Sequence, residues 1–357
     1  MTFKFVLHPG DMPGRILIDS MALHGIDYEM ISVQEAKPGT PYFITTEWFD
    51  HEVDYFAKIP KEVFDRDLKI IMYYHEGDNP LPIQQRLDGL CKQYSQPMDR
   101  YQLISANTLA KQLDRCCYFN DHEIRYWLRN RFQAPLTIPN HVRPYEFTVL
   151  SRFHKSWRAT VITDLKLRGL LKSSQWSYNS KLSNNEPPNC NPFENGAIFE
   201  QHIERFLAAG PYTCDNRTSD DHNDHSQLVP ELFTQSYCSI VLETFFNIEN
   251  TGHTFLTEKT YKCIKHGHPF VLVAPPGSLQ LLRDHGYRTF DHAIDNTYDT
   301  IMDPTQRWLK IVKTIEKIRS QDMHVWFESC RADLEHNQQL FCANKAPRLN
   351  TLLERLQ

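Results

Sequence analysis

Short apolar runs and helix-period segments alternate along the first 140 residues. FKFVLH, Phe3 to His8, reads as a buried strand, followed by Pro9-Gly10 and a helical pattern from Ile16 to Leu23 that ends at Gly25. Further strand-length runs are YEMISV (Tyr28 to Val33), PYFITTEW (Pro41 to Trp48), LKIIMYYHEG (Leu68 to Gly77), YQLISAN (Tyr101 to Asn107) and CCYFND (Cys116 to Asp121). Apolar strands separated by helical patterns predict a parallel sheet covered on both faces, which is a Rossmann-like layering.

FQAPLTIPNHVRPY, Phe132 to Tyr145, carries three prolines and reads as a hinge. The alternation then restarts with FTVLSRF (Phe147 to Phe153) as a strand and Trp157 to Leu171 as a helix. Ser173 to Pro230 is polar and predicts long loops, with one helix near Ile198 to Ala209. SYCSIVLETFF from Ser236 is a strand, Thr257 to His266 a helix and PFVLVAPP the next strand; PGSLQLLRDHG is helical, RTFDH a short strand or turn, and the chain is helical from Thr305. The expected fold class is α/β, with two Rossmann-like domains facing across a cleft. The first spans 1–140, the second 141–330, and a closing helix over 331–357 returns to the first.

Composition changes this picture little. The chain has 357 residues, enough for two domains of ~150 residues each. A net charge of −5, from 44 acidic and 39 basic residues, argues against a protein that holds nucleic acid mainly by electrostatics. Nine cysteines, none in C-x-x-C spacing, read as reduced thiols in a cytoplasmic protein. The start turns polar within eight residues, and no apolar run approaches the ~20 residues of a membrane span. Both features lead us to expect a soluble chain.

Three segments carry candidate chemistry. In FLTEKTYKCIKHGHPF, Thr257 is a good N-cap, with Glu258 and Lys259 in the first helical turn. A helix start attracts a diphosphate through its N–H groups and dipole; Lys259 adds a point charge, and Glu258 can accept from ribose hydroxyls. The same residues would also suit a capped surface helix. In FTVLSRFHKSWRATVITDLKLRGLL, six basic residues (Arg152, Lys155, Arg158, Lys166, Arg168, Lys172) face only Glu146 and Asp164 between Pro144 and Lys172. This local reversal of charge suggests an anion partner, the alternative being a solvated basic face. Glu243 closes an otherwise apolar strand and needs either a buried partner or a ligand.

The run FLTEKTYKCIKHGHPFVL resembles the donor-binding stretch of family-10 fucosyltransferases. It is closer still to a group of phage and giant-virus glycosyltransferases that continue as here, with Pro276-Gly277-Ser278-Leu279, Leu282-Arg283, Gly286-Tyr287-Arg288-Thr289-Phe290 and Asp295-Asn296-Thr297-Tyr298-Asp299. The resemblance covers roughly Phe147 to Trp308. It implies a GT-B-like glycosyltransferase using a nucleotide-sugar donor, inverting and independent of metal, with no cofactor. Carried over by residue, Glu258 meets the donor ribose and Lys259 the diphosphate. Arg158, with Arg152 beside it, meets the diphosphate from a second helix start, and Glu243 and Thr257 lie near the donor. The viral likeness suggests a glycan acceptor or a hydroxylated base in phage DNA.

Transfer needs a base for the acceptor hydroxyl. His75-Glu76-Gly77-Asp78 ends the most apolar strand of the first half, and His8 to Asp11 ends its first strand. Glu76 and then Asp11 are the favoured candidates, with Glu47 and Asp50 behind them. The loop Ser219 to His225 is rich in Asp and His but lacks ordered ligand spacing, so we expect no metal there. The absence of G-x-G-x-x-G, a Walker loop and G-x-S-x-G weakens dehydrogenase, NTPase and hydrolase readings. The rival from another class is a non-catalytic nucleotide- or sugar-binding protein of the same outline.

Overall fold

The computed structural model describes residues 2–9, 14–46, 50, 52–74, 77–129, 132–151, 154–179, 193, 200–214, 229–248, 253–343 and 345–356. The chain divides into two units: residues 1–131, 249–256 and 343–357 form the first, and 132–248 and 257–342 the second. The segment 331–357 therefore splits between them.

The first unit is built on β1 (Phe3–Leu7), β2 (Tyr28–Met30), β3 (Pro41–Thr46), β4 (Lys69–Tyr74), β5 (Tyr101–Ser105) and β6 (Cys116–Tyr118). They form one parallel sheet in the order β2-β1-β3-β4-β5-β6. Its helices are α1 (Gly14–Leu23), α2 (Lys61–Asp65), α3 (Pro80–Gln93), α4 (Asp121–Arg129) and, from the far end of the chain, α13 (Ala346–Leu356). KIIMYY shows why apolar runs become central strands here. Ile70, Met72 and Tyr74 join α3's Ile83, Leu87 and Leu90 in one core. Ile71 and Tyr73 face a second core with Leu17 and Met21 of α1, Ile124 of α4 and Leu349, Leu352, Leu353 and Leu356 of α13. A strand buried on both faces has no polar side to alternate with. Helix α13 is also tied by charge: Glu123, buried on α4, accepts from Lys345 Nζ at 2.7 Å and from the Arg348 guanidinium.

The second unit contains β7 (Tyr145–Ser151), α5 (Ser156–Leu167), β8 (Ser174–Tyr178), α6 (Glu200–Ala209), α7 (Pro230–Thr234), β9 (Ser236–Leu242), α8 (Glu258–Lys265), β10 (Phe270–Val273), α9 (Ser278–Asp284), α10 (Pro304–Arg319), α11 (Met323–Ser329) and α12 (Arg331–Cys342). Its parallel sheet runs β10-β9-β7-β8. The strand β8 lies in the stretch expected to be loop. SQWSY is an edge strand, paired along its length with β7 and bridged on its other side at Tyr178 to Tyr212, so it needs no apolar run. RTFDH forms no strand. Helix α5 is buried nearly all round. Its Asp164 is satisfied at Oδ2 by the Trp308 indole and Arg168 Nε, each at 2.9 Å. Both units are thus α/β layers on parallel sheets, the Rossmann-like class expected. No helix among the described residues is long and apolar enough to cross a membrane.

Candidate active site

In the second sheet the strand order reverses between β7 and β9, so the segments leaving these strands diverge. Crevices of this kind, at the carboxyl ends of parallel strands, are where open α/β sheets bind ligands. Glu243 is the first residue after β9, and its side chain is fully buried. Its Oε1 accepts from the Thr257 N–H at 3.2 Å and the Thr260 hydroxyl at 2.5 Å; Oε2 accepts from the Thr257 hydroxyl at 2.7 Å and the Thr244 N–H at 3.2 Å. Four donors on one carboxylate fasten the start of α8 to the end of β9. Of the alternatives the sequence left open, this arrangement gives Glu243 partners inside the protein.

Thr257 is the N-cap of α8, with its Oγ1 facing the Lys259 N–H at 3.5 Å. The same oxygen accepts from Lys259 Nζ at 3.1 Å, and Thr244 Oγ1 lies 3.5 Å from that ammonium. Lys259 also pairs with Glu258 at 3.1 Å, their side chains being 33% and 14% exposed. A cation therefore stands at a helix start, held by two hydroxyls and balanced by one neighbouring carboxylate. The helix stops cleanly after two turns because Gly267 takes φ 62, where a Cβ would lie 2.6 Å from Ile138 Cγ1.

Arg158 lies beneath this arrangement. It is buried in the first turn of α5, and its Nε and one terminal nitrogen donate to the Glu243 carbonyl at 3.2 and 2.6 Å. Its guanidinium carbon sits 5.4 Å from the Trp157 ring centre, and that ring stacks on Phe246 at 5.6 Å. Buried Arg307 holds the same loop, donating to the Phe246 carbonyl at 2.6 Å and to Ile301 and Met302 carbonyls at 2.7 and 2.9 Å. Burial pushes its pKa down to about 10.

The structure thus brings Arg158, Glu243, Thr257, Glu258 and Lys259 together. Thr244, Thr260 and Arg307 were missed in the sequence. Thr260 had a signal, since it follows Thr257 by one helical turn and shares its face. The motif from Pro276 to Asp299 serves α9 instead: the Asp299 carboxylate accepts the N–H groups of Leu279 and Gln280, each at 3.0 Å. Burial raises the Asp299 pKa, although these backbone donors oppose the shift.

Arg152, Glu76, Asp11, Glu47 and the loop 219–225 lie outside the described residues. Asp50 is a turn former, its Oδ1 accepting the Glu52 N–H at 2.8 Å. Asp78 accepts a hydrogen bond from Tyr74. Among the described residues, no group of three His, Cys, Asp or Glu side chains could hold a metal ion.

No family model matches the chain, and no curated protein does. Solved structures that are similar include those of a phage enzyme and a DNA modifying enzyme. One is a mutant of T4 phage BGT in complex with UDP-glucose, 10% identical, covering 96% of this chain and 98% of that one at a TM-score of 0.33. The other is the DNA modifying enzyme β-glucosyltransferase with and without uridine diphosphoglucose, 12% identical over the same shares and at the same TM-score of 0.33. A likeness that slight decides neither fold nor function, and the resemblance to family-10 fucosyltransferases has no counterpart in it.

Proposed function

We propose that the protein is a glycosyltransferase that moves a hexosyl or pentosyl group from a nucleotide-diphosphate donor to a hydroxyl acceptor, with the donor held on the second unit. The observation that carries this reading is the braced start of α8: Lys259, one-third exposed, is held by the Thr257 and Thr244 hydroxyls just past the carboxyl end of β9, the strand that borders the reversal of strand order. In this reading Glu258 is a placeholder for the donor. A diphosphate carries more charge than one carboxylate and displaces it from Lys259, which leaves Glu258 to accept from ribose hydroxyls. Negative charge on the departing diphosphate is met by Lys259 and the helix start, already in position before the reaction. Arg158, Glu243 and Thr257 hold the backbone that presents them.

Inversion, metal independence and the acceptor, a glycan or a hydroxylated base in DNA, follow from the family resemblance alone. The direct test is thermal shift with UDP, GDP and ADP. One of them should raise Tm, and Lys259→Ala should remove the rise; saturation at 100 times Kd adds about 2.7 kcal/mol. Release of that nucleotide from its sugar conjugate then reports turnover. Binding without release from any conjugate favours the non-catalytic binding protein, and no shift with any nucleotide rejects the reading.

A further inference from the structure

We infer that Arg143 and His324 form a site for a small phosphate-type oxyanion at the amino end of the second sheet, separate from the nucleotide site proposed above. Arg143 stands two residues before β7 and is only 4% exposed. Its backbone N–H donates at 2.9 Å to the hydroxyl of Tyr237, near the start of β9. Its guanidinium carbon lies 3.4 Å from the Phe327 ring centre and 5.2 Å from that of Tyr237. Rings hold such a cation by its faces, while its N–H groups, which lie in its plane, still need acceptors. Nη2 donates to the Pro139 carbonyl at 3.2 Å. Nε and Nη1 are closed to solvent and have no partner among the described residues. Unmet donors of this kind are costly when buried, and more so when they carry charge. Burial pushes the Arg143 pKa down to about 10.

The carboxylate that acts on this charge, Glu328, is committed to Arg331 through two hydrogen bonds of 2.7 Å. Arg331 also donates to the Ile138 and Pro139 carbonyls, at 3.3 and 2.9 Å. Among the described residues, Arg143 is therefore left without a carboxylate of its own. His324 precedes Phe327 and Glu328 by one turn of α11, so all three share the face on which Arg143 rests. Its ring lies 6.3 Å from that of Tyr237, and its Nδ1 is likewise buried with no partner among the described residues. With its proton on Nδ1 the imidazole is a second donor beside the guanidinium. A phosphate supplies what this cluster lacks, negative charge and several acceptor oxygens, and guanidinium groups bind it strongly. Because the donors are closed to solvent, the ligand must be small enough to be enclosed, which favours free phosphate over a phosphoryl group on a polymer. His141, Val142 and Pro144 are exposed, so the guanidinium lies one residue beneath the surface. Glu243 and the start of α8 stand at the other end of β9.

The test is calorimetric titration of the full chain with inorganic phosphate, at constant ionic strength in chloride, together with the Tm in each salt. Lys259 could also take phosphate, so Lys259→Ala is titrated beside the unaltered protein. Both should bind phosphate, and both should gain Tm in phosphate over chloride. Arg143→Met should lose the binding and the gain in Tm, and His324→Gln should weaken both. If Arg143→Met does not fold, Arg143→Lys carries the test: it keeps the charge but not the planar fork, and its phosphate affinity should fall by at least ~10-fold. Absence of phosphate binding by the unaltered protein overturns the site. So does undiminished binding in Arg143→Met or Arg143→Lys, or binding that vanishes in Lys259→Ala, which would place the phosphate at the start of α8. A failure of every nucleotide to bind would reject the transferase reading and leave this site standing.

Discussion

Thr260 donates its hydroxyl to Glu243 at 2.5 Å, and neither side chain reaches solvent. The same carboxylate takes the Thr257 hydroxyl and N–H, so a single charge joins the end of β9 to the start of α8. An anion suits that place twice over, through charge-assisted hydrogen bonds and the helix dipole.

Glu243→Gln puts an amide NH2 among groups that are themselves donors. Leaving buried donors unmet costs about 1–3 kcal/mol for each group. We expect the unfolding free energy in urea to fall by about 2–4 kcal/mol, with nucleotide affinity falling alongside it. Thr260→Val, which removes one donor and keeps the shape, should lose less. An unchanged urea midpoint in Glu243→Gln would show that this carboxylate is not the fastening.

Phe255 and Gly77 give a second prediction, within the first unit. A Cβ at Gly77 would lie 2.0 Å from Phe255 Cδ1, so the ring occupies the space of any larger residue. The ring also meets the edge of His122 at 5.0 Å, and the Gly77 carbonyl accepts from Asn107 at 2.9 Å. Gly77→Ala should destabilise by about 1–3 kcal/mol through overpacking, and Phe255→Ala by about 3–5 kcal/mol through the cavity it leaves. Each change makes room for the other, so the double variant should cost clearly less than the sum. Additive costs in a double-mutant cycle would contradict the contact.

Most of the central framework was legible because it rests on local pattern. KIIMYY and SYCSIVL can only be buried strands, and Thr257 marks a helix start in any context. What was not legible depends on tertiary return. Nothing in the spacing links Glu243 to Thr257 and Thr260; the chain leaves β9, enters the first unit at 249–256 and comes back as α8. Likewise Gly77 looks like an ordinary turn glycine until Phe255 arrives from the other half of the sequence. SQWSY failed for a different reason, since an edge strand needs no apolar signature. Arg158 read correctly as a cation at a helix start, but its engagement with a backbone carbonyl depends on where β9 ends.

The last prediction concerns pH. His266 and His268 are both buried, and burial pushes each down to about 3. Neighbouring Lys265 and Lys262 add repulsion at His266. His268 has a ready neutral form: its Nε2 donates to the Ser236 carbonyl at 2.9 Å, and its Nδ1 accepts from the Ser239 hydroxyl at 2.8 Å. In the unfolded chain both rings bind a proton near the ordinary value of 6.5. The unfolded state therefore takes up more protons than the folded one below that value. The stability these rings contribute is complete above about pH 6.5 and is lost as pH falls from there toward 3. Each ring accounts for about 1.4 kcal/mol per pH unit once the unfolded form is protonated. Urea unfolding should weaken between about pH 6 and 4.5, before carboxylate titration dominates. His268→Asn, which has no proton to gain, should reduce that slope by close to one proton. If the slope of the variant matches that of the unaltered protein, His268 is not held neutral by the fold.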